Sequence, residues 1–323
     1  MVSNRRHFVI GTAATLALPR AFAQAYPDKP ITFVCPWPAG GTADMTMRAL
    51  CSAAAKVLGQ TLVVENKAGA SGMLGLRAMA SAKADGYTIG QVPISVTRFS
   101  QLGTVQIDPM KDLTYLARTS GQTFGIAVRS EAPWKTLKDF VAAAKAAPGK
   151  ITYGSAGIGG ATHVGMEEFA AVAGVQFNHI PYKGGAPALQ DTLGGQVDAL
   201  ADSSSWAPHV KSGKLRLLAT WGAKRTQDFP DVPTLRDSGF DVVVDAPNGI
   251  AAPKGIDPVV EKRLREAFKV AAASAEFTSA CDKIDAPLMY LDGPDYAAYI
   301  AATYKKETVL IERLKLKELM AKG

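Results

Sequence analysis

The chain has 323 residues, 47% hydrophobic and 20% charged, an ordinary soluble composition long enough for two domains with real cores. After the N-terminus no run of about 18 apolar residues occurs, which excludes a membrane span in the mature chain. The formal charge of +7 suits an anionic small ligand, and no Lys/Arg cluster with interleaved aromatics points to nucleic acid.

In chain order, the first 23 residues carry Arg5-Arg6, a short apolar run and an Ala21-Phe22-Ala23 cleavage site. This reads as an export signal, of twin-arginine or Sec type, and implies a periplasmic mature protein. Losing Arg5, Arg6 and Arg20, with no acid in that segment, lowers the formal charge to +4. Cys35, Cys51 and Cys281 are too few and too scattered for a disulfide framework. Cys35 and Cys51 are expected as buried thiols, although export permits a bridge. No CxxC or HxxxH spacing suggests a metal, and no cofactor is expected.

From Pro30 strands and helices alternate. "ITFVCPW" reads as a buried strand, residues 42–58 as a helix opened by Thr42 and Asp44, and "TLVVEN" as the next strand. "GASGMLGLRAMASAKA" is a Gly-rich turn into a helix, and "DGYTIGQV" leads into a third strand. This βαβαβ order predicts a parallel sheet. "DLTYLARTS" and "FGIAVRS" are strands without a strong helix between them.

A second α/β unit follows. It has a helix capped by Thr136, the strand "ITYGSA", a helix over 160–174, the strand "FNHIPY", the helix "APALQDTLGGQ", and the strands "VDALAD" and "LRLLATW". "VVVDAPNGIAAP" is extended again. Helices over 258–274 and 295–319 close the chain without a sheet of their own, so they are expected to pack back on the first domain. That arrangement puts 24–123 with 247–323 in one discontinuous lobe and 124–246 in another, with a cleft between.

Three Gly-rich turns, "PAGGTAD", "AGASGM" and "GSAGIGGATH", fall where strands hand over to helices, the places where α/β proteins bind anions. None completes a Walker or dinucleotide motif. "YGSAG" is one glycine short of a nucleophile elbow, because Tyr153 stands where Gly is needed. Ser155 with His163 leaves an exported hydrolase as the enzyme alternative, without an evident acid to orient the imidazole. A ligand-sensing receptor for a signalling partner would share the same site.

These stretches resemble the substrate-binding proteins of tripartite tricarboxylate transporters, the Bug-type extracytoplasmic receptors. The resemblance rests on "YPDKPITFVCPWPAGGTAD", "VVENKAGASGMLGLRAMASAKADGYTIG", "ITYGSAGIGGATHVGMEEFAAVAG", "HIPYKGGAPALQDTLGGQVDAL" and "FPDVPTL", in that order over nearly the whole mature chain. It implies a type II periplasmic-binding-protein fold: two parallel-sheet-based lobes joined by two crossing strands, closing on a carboxylated ligand. It implies no enzymatic activity, a monomer, and delivery of a small organic acid to membrane subunits. By position, Pro38, Ala39, Gly40, Gly41 and Thr42 would come from the first lobe, and Ser155, Ala156, Gly157, Thr162 and His163 from the second. Gly160 stands where many members have serine, Met73 where a polar residue is common, and Ser203 to Trp206 replace a Pro-containing stretch.

Five further residues are read from their own positions. Trp37 is placed as an apolar pocket wall, and Trp206 either closes on the ligand or packs in the core. Asp202 ends a strand and either binds an ammonium or hydroxyl group or caps a helix. Tyr182, with Lys183, opens a turn facing the cleft. The loop N–H groups around Ala156 to Gly159 are expected to supply most of the donors of a carboxylate cradle.

Overall fold

The computed structural model describes residues 26–244 and 246–321, so the export signal and its cleavage site lie outside the described residues. Two sheets organise the chain. The first half of sheet one is β1 (Ile31–Cys35), α1 (Thr42–Leu58), β2 (Leu62–Asn66), α2 (Met73–Ala80) and β3 (Thr88–Val92). The short α3 (Val96–Phe99) precedes β4 (Leu113–Gly121), which runs through residues 122–124 into β5 (Gly125–Arg129). Around sheet two lie α4 (Leu137–Ala146), β6 (Thr152–Ser155), α5 (Ala161–Ala173), β7 (Asn178–Pro181), α6 (Gly185–Leu193), β8 (Ala199–Asp202), α7 (Ala207–Lys211) and β9 (Leu215–Thr220). The chain returns through β10 (Pro247–Pro253) and ends with α8 (Pro258–Ala272), α9 (Ala275–Asp282), β11 (Leu288–Asp292), α10 (Gly293–Arg313) and α11 (Leu316–Ala321).

Local chemistry sets these elements. Thr136 and Asp139 form a reciprocal capping box at α4, and Gly59 ends α1 in the left-handed conformation at φ 74°. β1 is buried on both faces, as its unbroken apolar run requires.

Sheet one has the order β11-β4-β10-β3-β1-β2 and sheet two β7-β6-β8-β5-β9. β1 pairs in parallel with β2 and β3, as the βαβαβ order predicts, but neither sheet as a whole is purely parallel. β10 runs antiparallel to both β3 and β4, β11 antiparallel to β4, and β5 antiparallel to β8 and β9. The reason is topological: the chain leaves sheet one along β4 and must return along β10, so the two crossing segments point in opposite directions.

Each sheet is covered on both faces. On one face of sheet one, Leu50 and Ala54 of α1 pack with Phe33, Leu264, Phe268 and Phe277, so the C-terminal helices share the core of β1. On the other, Met73, Leu76 and Met79 meet Tyr115, Tyr296 and Ile300. In sheet two, Phe140 and Phe169 cover one face, and Leu189, Trp206 and Phe229 the other. Cys35, Cys51 and Cys281 are buried free thiols.

The C-terminal region departs from the sequence reading. α9 and β11 fill a stretch that carried no expected element, and the single terminal helix divides near Lys315, whose φ is +49°. Val242 to Val244, read as extended together with the residues of β10, lie outside that strand; the Val244 N–H bonds the Trp221 carbonyl at 3.1 Å.

Candidate ligand-binding site

Between the lobes lies a cavity of about 60 Å³. Trp37, Pro38, Gly41 and Thr42 line it from one lobe, and Ala156, Gly160, Ala161, Thr162, Asp202 and Ser203 from the other. Two helices begin at its wall. α1 follows Gly41 and α5 follows Gly160, each N-cap in an extended conformation and neither supplying a side-chain cap. The first-turn amides of a helix have no intrahelical acceptor, so two N-termini, one per lobe, present uncommitted donors and partial positive charge to the same space.

The loop before α1 is held by Asp44, which accepts from Gly40 N–H at 2.9 Å, Asn66 Nδ2 at 2.7 Å and Arg48 Nε at 3.0 Å. Burial opposes ionisation of this carboxyl, but these three donors outweigh it and hold its pKa below the usual range. Gly40 takes φ +80°, so its amide turns toward Asp44 and away from the cavity.

The loop before α5 is wired differently from the expected cradle. Ala156 N–H donates to Thr162 Oγ1 at 3.2 Å, Gly157 N–H to Ser155 Oγ at 3.2 Å, and Gly159 N–H to His163 Nδ1 at 3.0 Å. Those three amides are satisfied by the loop's own side chains, so at the cavity wall the first-turn amides of α5 are better placed to donate than those of Ala156, Gly157 and Gly159. Ser155, Gly157 and His163 do not line it; they lie behind its wall. Gly157, at φ +134°, serves the lobe contact, since a Cβ there would meet Ser71 Oγ at 2.7 Å. Ser71 Oγ itself donates across the cleft to the Ile158 carbonyl at 2.8 Å.

The histidine beside Ser155 is His179 of β7, not His163: Ser155 Oγ and His179 Nε2 are 2.6 Å apart. His179 stacks on His163 with ring centroids 4.0 Å apart. Burial lowers the His163 pKa to about 3, with help from His179 and Arg98, and that of His179 to about 4. Ser155 is 0% exposed, so no substrate carbonyl reaches its hydroxyl. This removes the hydrolase geometry.

Asp202 reaches the cavity with a buried carboxylate that accepts from Ser205 Oγ at 2.6 Å, and burial pushes its pKa up to about 6. Ser203, rather than Asp202, is the N-cap of the short turn 204–206. Trp206 is core: its Nε1 donates to the Asp202 carbonyl at 3.2 Å and its ring meets Phe229 edge-on. Ala39, Gly40, Tyr182 and Lys183 line an open groove outside the cavity, and the Tyr182 hydroxyl donates to Asp191 Oδ2 at 2.7 Å.

The sequence reading missed the floor. Gln91, at the end of β3, and Gln122, in the crossing segment, both line the cavity and both donate to Asn248 Oδ1, at 2.8 and 2.9 Å. Asn248 Nδ2 donates in turn to Ser120 Oγ at 2.9 Å. A polar residue closing an apolar strand, as in "TIGQV", was the available signal. Ser203 Oγ donates to Thr42 Oγ1 at 3.1 Å, so residues of the two lobes touch directly at the site.

The family description "Tripartite tricarboxylate transporter family receptor" matches residues 46–316. The chain belongs to this family. The receptor is 44% identical over 322 residues to the "UPF0065 protein in gbd 5'region" of Cupriavidus necator, covering 97% of this chain and 98% of the relative. The solved periplasmic binding protein BugD superposes with TM-score 0.85 at 29% identity, covering 90% of this chain and 99% of its own. An R. palustris protein solved with adipate gives TM-score 0.84 at 25% identity, covering 90% and 98%. The receptor therefore has the two-lobed periplasmic-binding fold of these neighbours and is a solute-binding protein, not an enzyme.

Its cavity wall is informative in this light. Among the described residues that line it no Lys, Arg or His occurs, and Asp202 is the one ionisable side chain of those. Any anion held there is held by amides and dipoles. Trp37 adds a buried indole Nε1–H without a partner among the described residues.

Proposed function

We propose that the receptor captures a small organic carboxylate in the periplasm, as an exported monomer, and delivers it to the membrane subunits of a tripartite transporter. The observation that carries this reading is the pair of uncapped helix N-termini, from α1 and α5, meeting at one cavity. Each hydrogen bond from such an amide to a charged group contributes roughly 1.5–3 kcal/mol, and the helix terminus adds about 0.3–1 kcal/mol. Two such termini in different lobes suit either one carboxylate gripped from both sides or two carboxylates of a short diacid. The neighbour solved with adipate supports an organic acid.

The lobes assigned to this action are 24–123 with 247–323, and 124–246. The ligand contacts assigned are Trp37, Pro38, Gly41, Thr42, Ala156, Thr162 and Asp202 from the sequence reading, joined by Gly160, Gln91, Gln122 and Ser203. A thermal-shift screen of mono-, di- and tricarboxylic acids, followed by calorimetric titration of the best, tests the reading. Saturable binding with the acid recovered intact supports it. Binding of neutral solutes in preference to every acid would overturn it.

A further inference from the structure

The loop before α5 is held from the opposite lobe by a side chain outside the cavity wall. Arg98, in α3, is 4% exposed and is clasped by Glu307 of α10: Nε donates to Oε2 at 2.8 Å and Nη2 to Oε1 at 2.7 Å. Its remaining nitrogen, Nη1, donates to the Gly159 carbonyl at 2.8 Å. The Gly159 peptide is thus gripped on both sides, its carbonyl by the first lobe and its N–H by His163 of α5. Gly159 takes φ +70°, and a Cβ there would come within 2.9 Å of Phe99 and Met320, so first-lobe side chains pack directly on it.

The chemistry distinguishes this contact from an exposed ion pair that also spans the lobes. Arg313 and Glu168 also join α10 to α5, but Arg313 is 56% exposed and such a pair is weakened by water and salt. Arg98 is buried, and the two-pronged bond to Glu307 fixes the plane of its guanidinium, so that one of the two Nη1 N–H groups is aimed at the Gly159 carbonyl. Opening the cleft would part this charged donor from its carbonyl acceptor, and a hydrogen bond made by a charged group while buried contributes more than an exposed ion pair. Gly159 immediately precedes the Gly160 N-cap of α5, so whatever fixes it also fixes the first-turn amides.

We propose that Arg98, aimed by Glu307, is the positioning residue that draws the lobes shut and sets the α5 amides toward the cavity. Its bearing on affinity rests on the anion-binding reading above; its effect on closure does not. The test therefore uses unliganded protein. Val63 and Val172, exposed and in different lobes, are changed to Cys and nitroxide-labelled, while the three native thiols stay buried. Interlobe distances are compared with hydrogen exchange of residues 157–162 in the parent, Arg98→Met, Arg98→Lys and Arg98→Met/Glu307→Leu.

The parent should show a short-distance population. Arg98→Met should lose it, with exchange faster by about tenfold or more, and should also melt lower because Glu307 is left buried and unpaired. The double variant removes both charges, so its melting temperature should recover while the short distances and slow exchange do not return. Lys keeps the charge without the fork and should recover melting temperature only. The proposal is overturned by a parent lacking the short-distance population, by a folded double variant with parental distances and exchange, or by Lys restoring both.

Discussion

Trp37 and Trp206 look alike in sequence, each beside a strand end and each able to cover a ligand, yet burial separates them. Trp37 is half-buried at the cavity, whereas Trp206 is 0% exposed in the core of sheet two. Trp206→Ala should cost about 3–5 kcal/mol of stability, and Trp37→Ala much less. Trp37→Ala should instead weaken binding of the screened acid, as urea unfolding and calorimetry on the pair would show. Asp202 gives a second residue-scale outcome. Its folded pKa, near 6, lies above the ordinary carboxyl value, so the folded state holds its proton longer and the charged form opposes folding as pH rises through that window. Asp202→Asn, which keeps an acceptor for Ser205, should stabilise the unliganded receptor by on the order of 3 kcal/mol at pH 7 and by almost nothing at pH 4. An equal gain at both pH values would show that burial of charge is not the cause. At this scale the sequence revealed which turns approach the ligand, because glycine before a helix has a backbone meaning. It did not reveal which N–H groups remain free, because Ser155, Thr162 and His163 consume the loop amides through contacts that no periodicity encodes.

Elements were legible where the period was clean. α1, with apolar residues on one face and Gly59 behind it, follows its sequence signal from Thr42 to Leu58. β11 was not legible: Leu288 is half exposed, the strand pairs only with the edge of β4, and its register is irregular. α9 was hidden because Ser274, which accepts from Phe277 N–H, starts a new helix directly after α8 and breaks the phase. The junction of β6, α5 and β7 carries its own prediction. His163 and His179 are held neutral there with folded pKa values of about 3 and 4, below the ordinary value. As pH falls, the unfolded chain binds protons first, so stability that is complete above about pH 6.5 drains away toward pH 4 at about 1.4 kcal/mol per pH unit per histidine. Protonation would also turn His163 Nδ1 from acceptor into donor against Gly159 N–H. Unfolding free energies measured between pH 4.5 and 7.5 should fall with acid, and His179→Gln should flatten the slope. A slope unchanged in that variant would assign the acid sensitivity elsewhere.

For the whole molecule, function depends on how closely the two lobes can approach, and one contact beside the cavity sets a limit. Gly184, just before α6, takes φ +133°, and a Cβ on it would stand 2.3 Å from Pro38 Cδ and 2.4 Å from Cγ, across the cleft, but 3.8 Å from Cβ. Gly184→Ala should therefore hold the lobes apart by the width of a methyl group, in addition to straining its own backbone. Those two effects separate in a double-mutant cycle. Pro38→Ala removes the Cγ and Cδ atoms that clash, while leaving the strain at position 184 untouched. Gly184→Ala alone should enlarge the radius of gyration seen by small-angle scattering with the screened acid at saturation, and should weaken its binding. Adding Pro38→Ala should return the radius to that of Pro38→Ala alone, while the melting temperature, which reports the backbone strain, stays low. If both radius and melting temperature remain displaced in the double variant, the damage lies within the loop of the second lobe. If neither moves in Gly184→Ala, the lobes do not meet at this point when the receptor is closed, and their approach is set instead by contacts such as Ser203 with Thr42 and Ser71 with the Ile158 carbonyl.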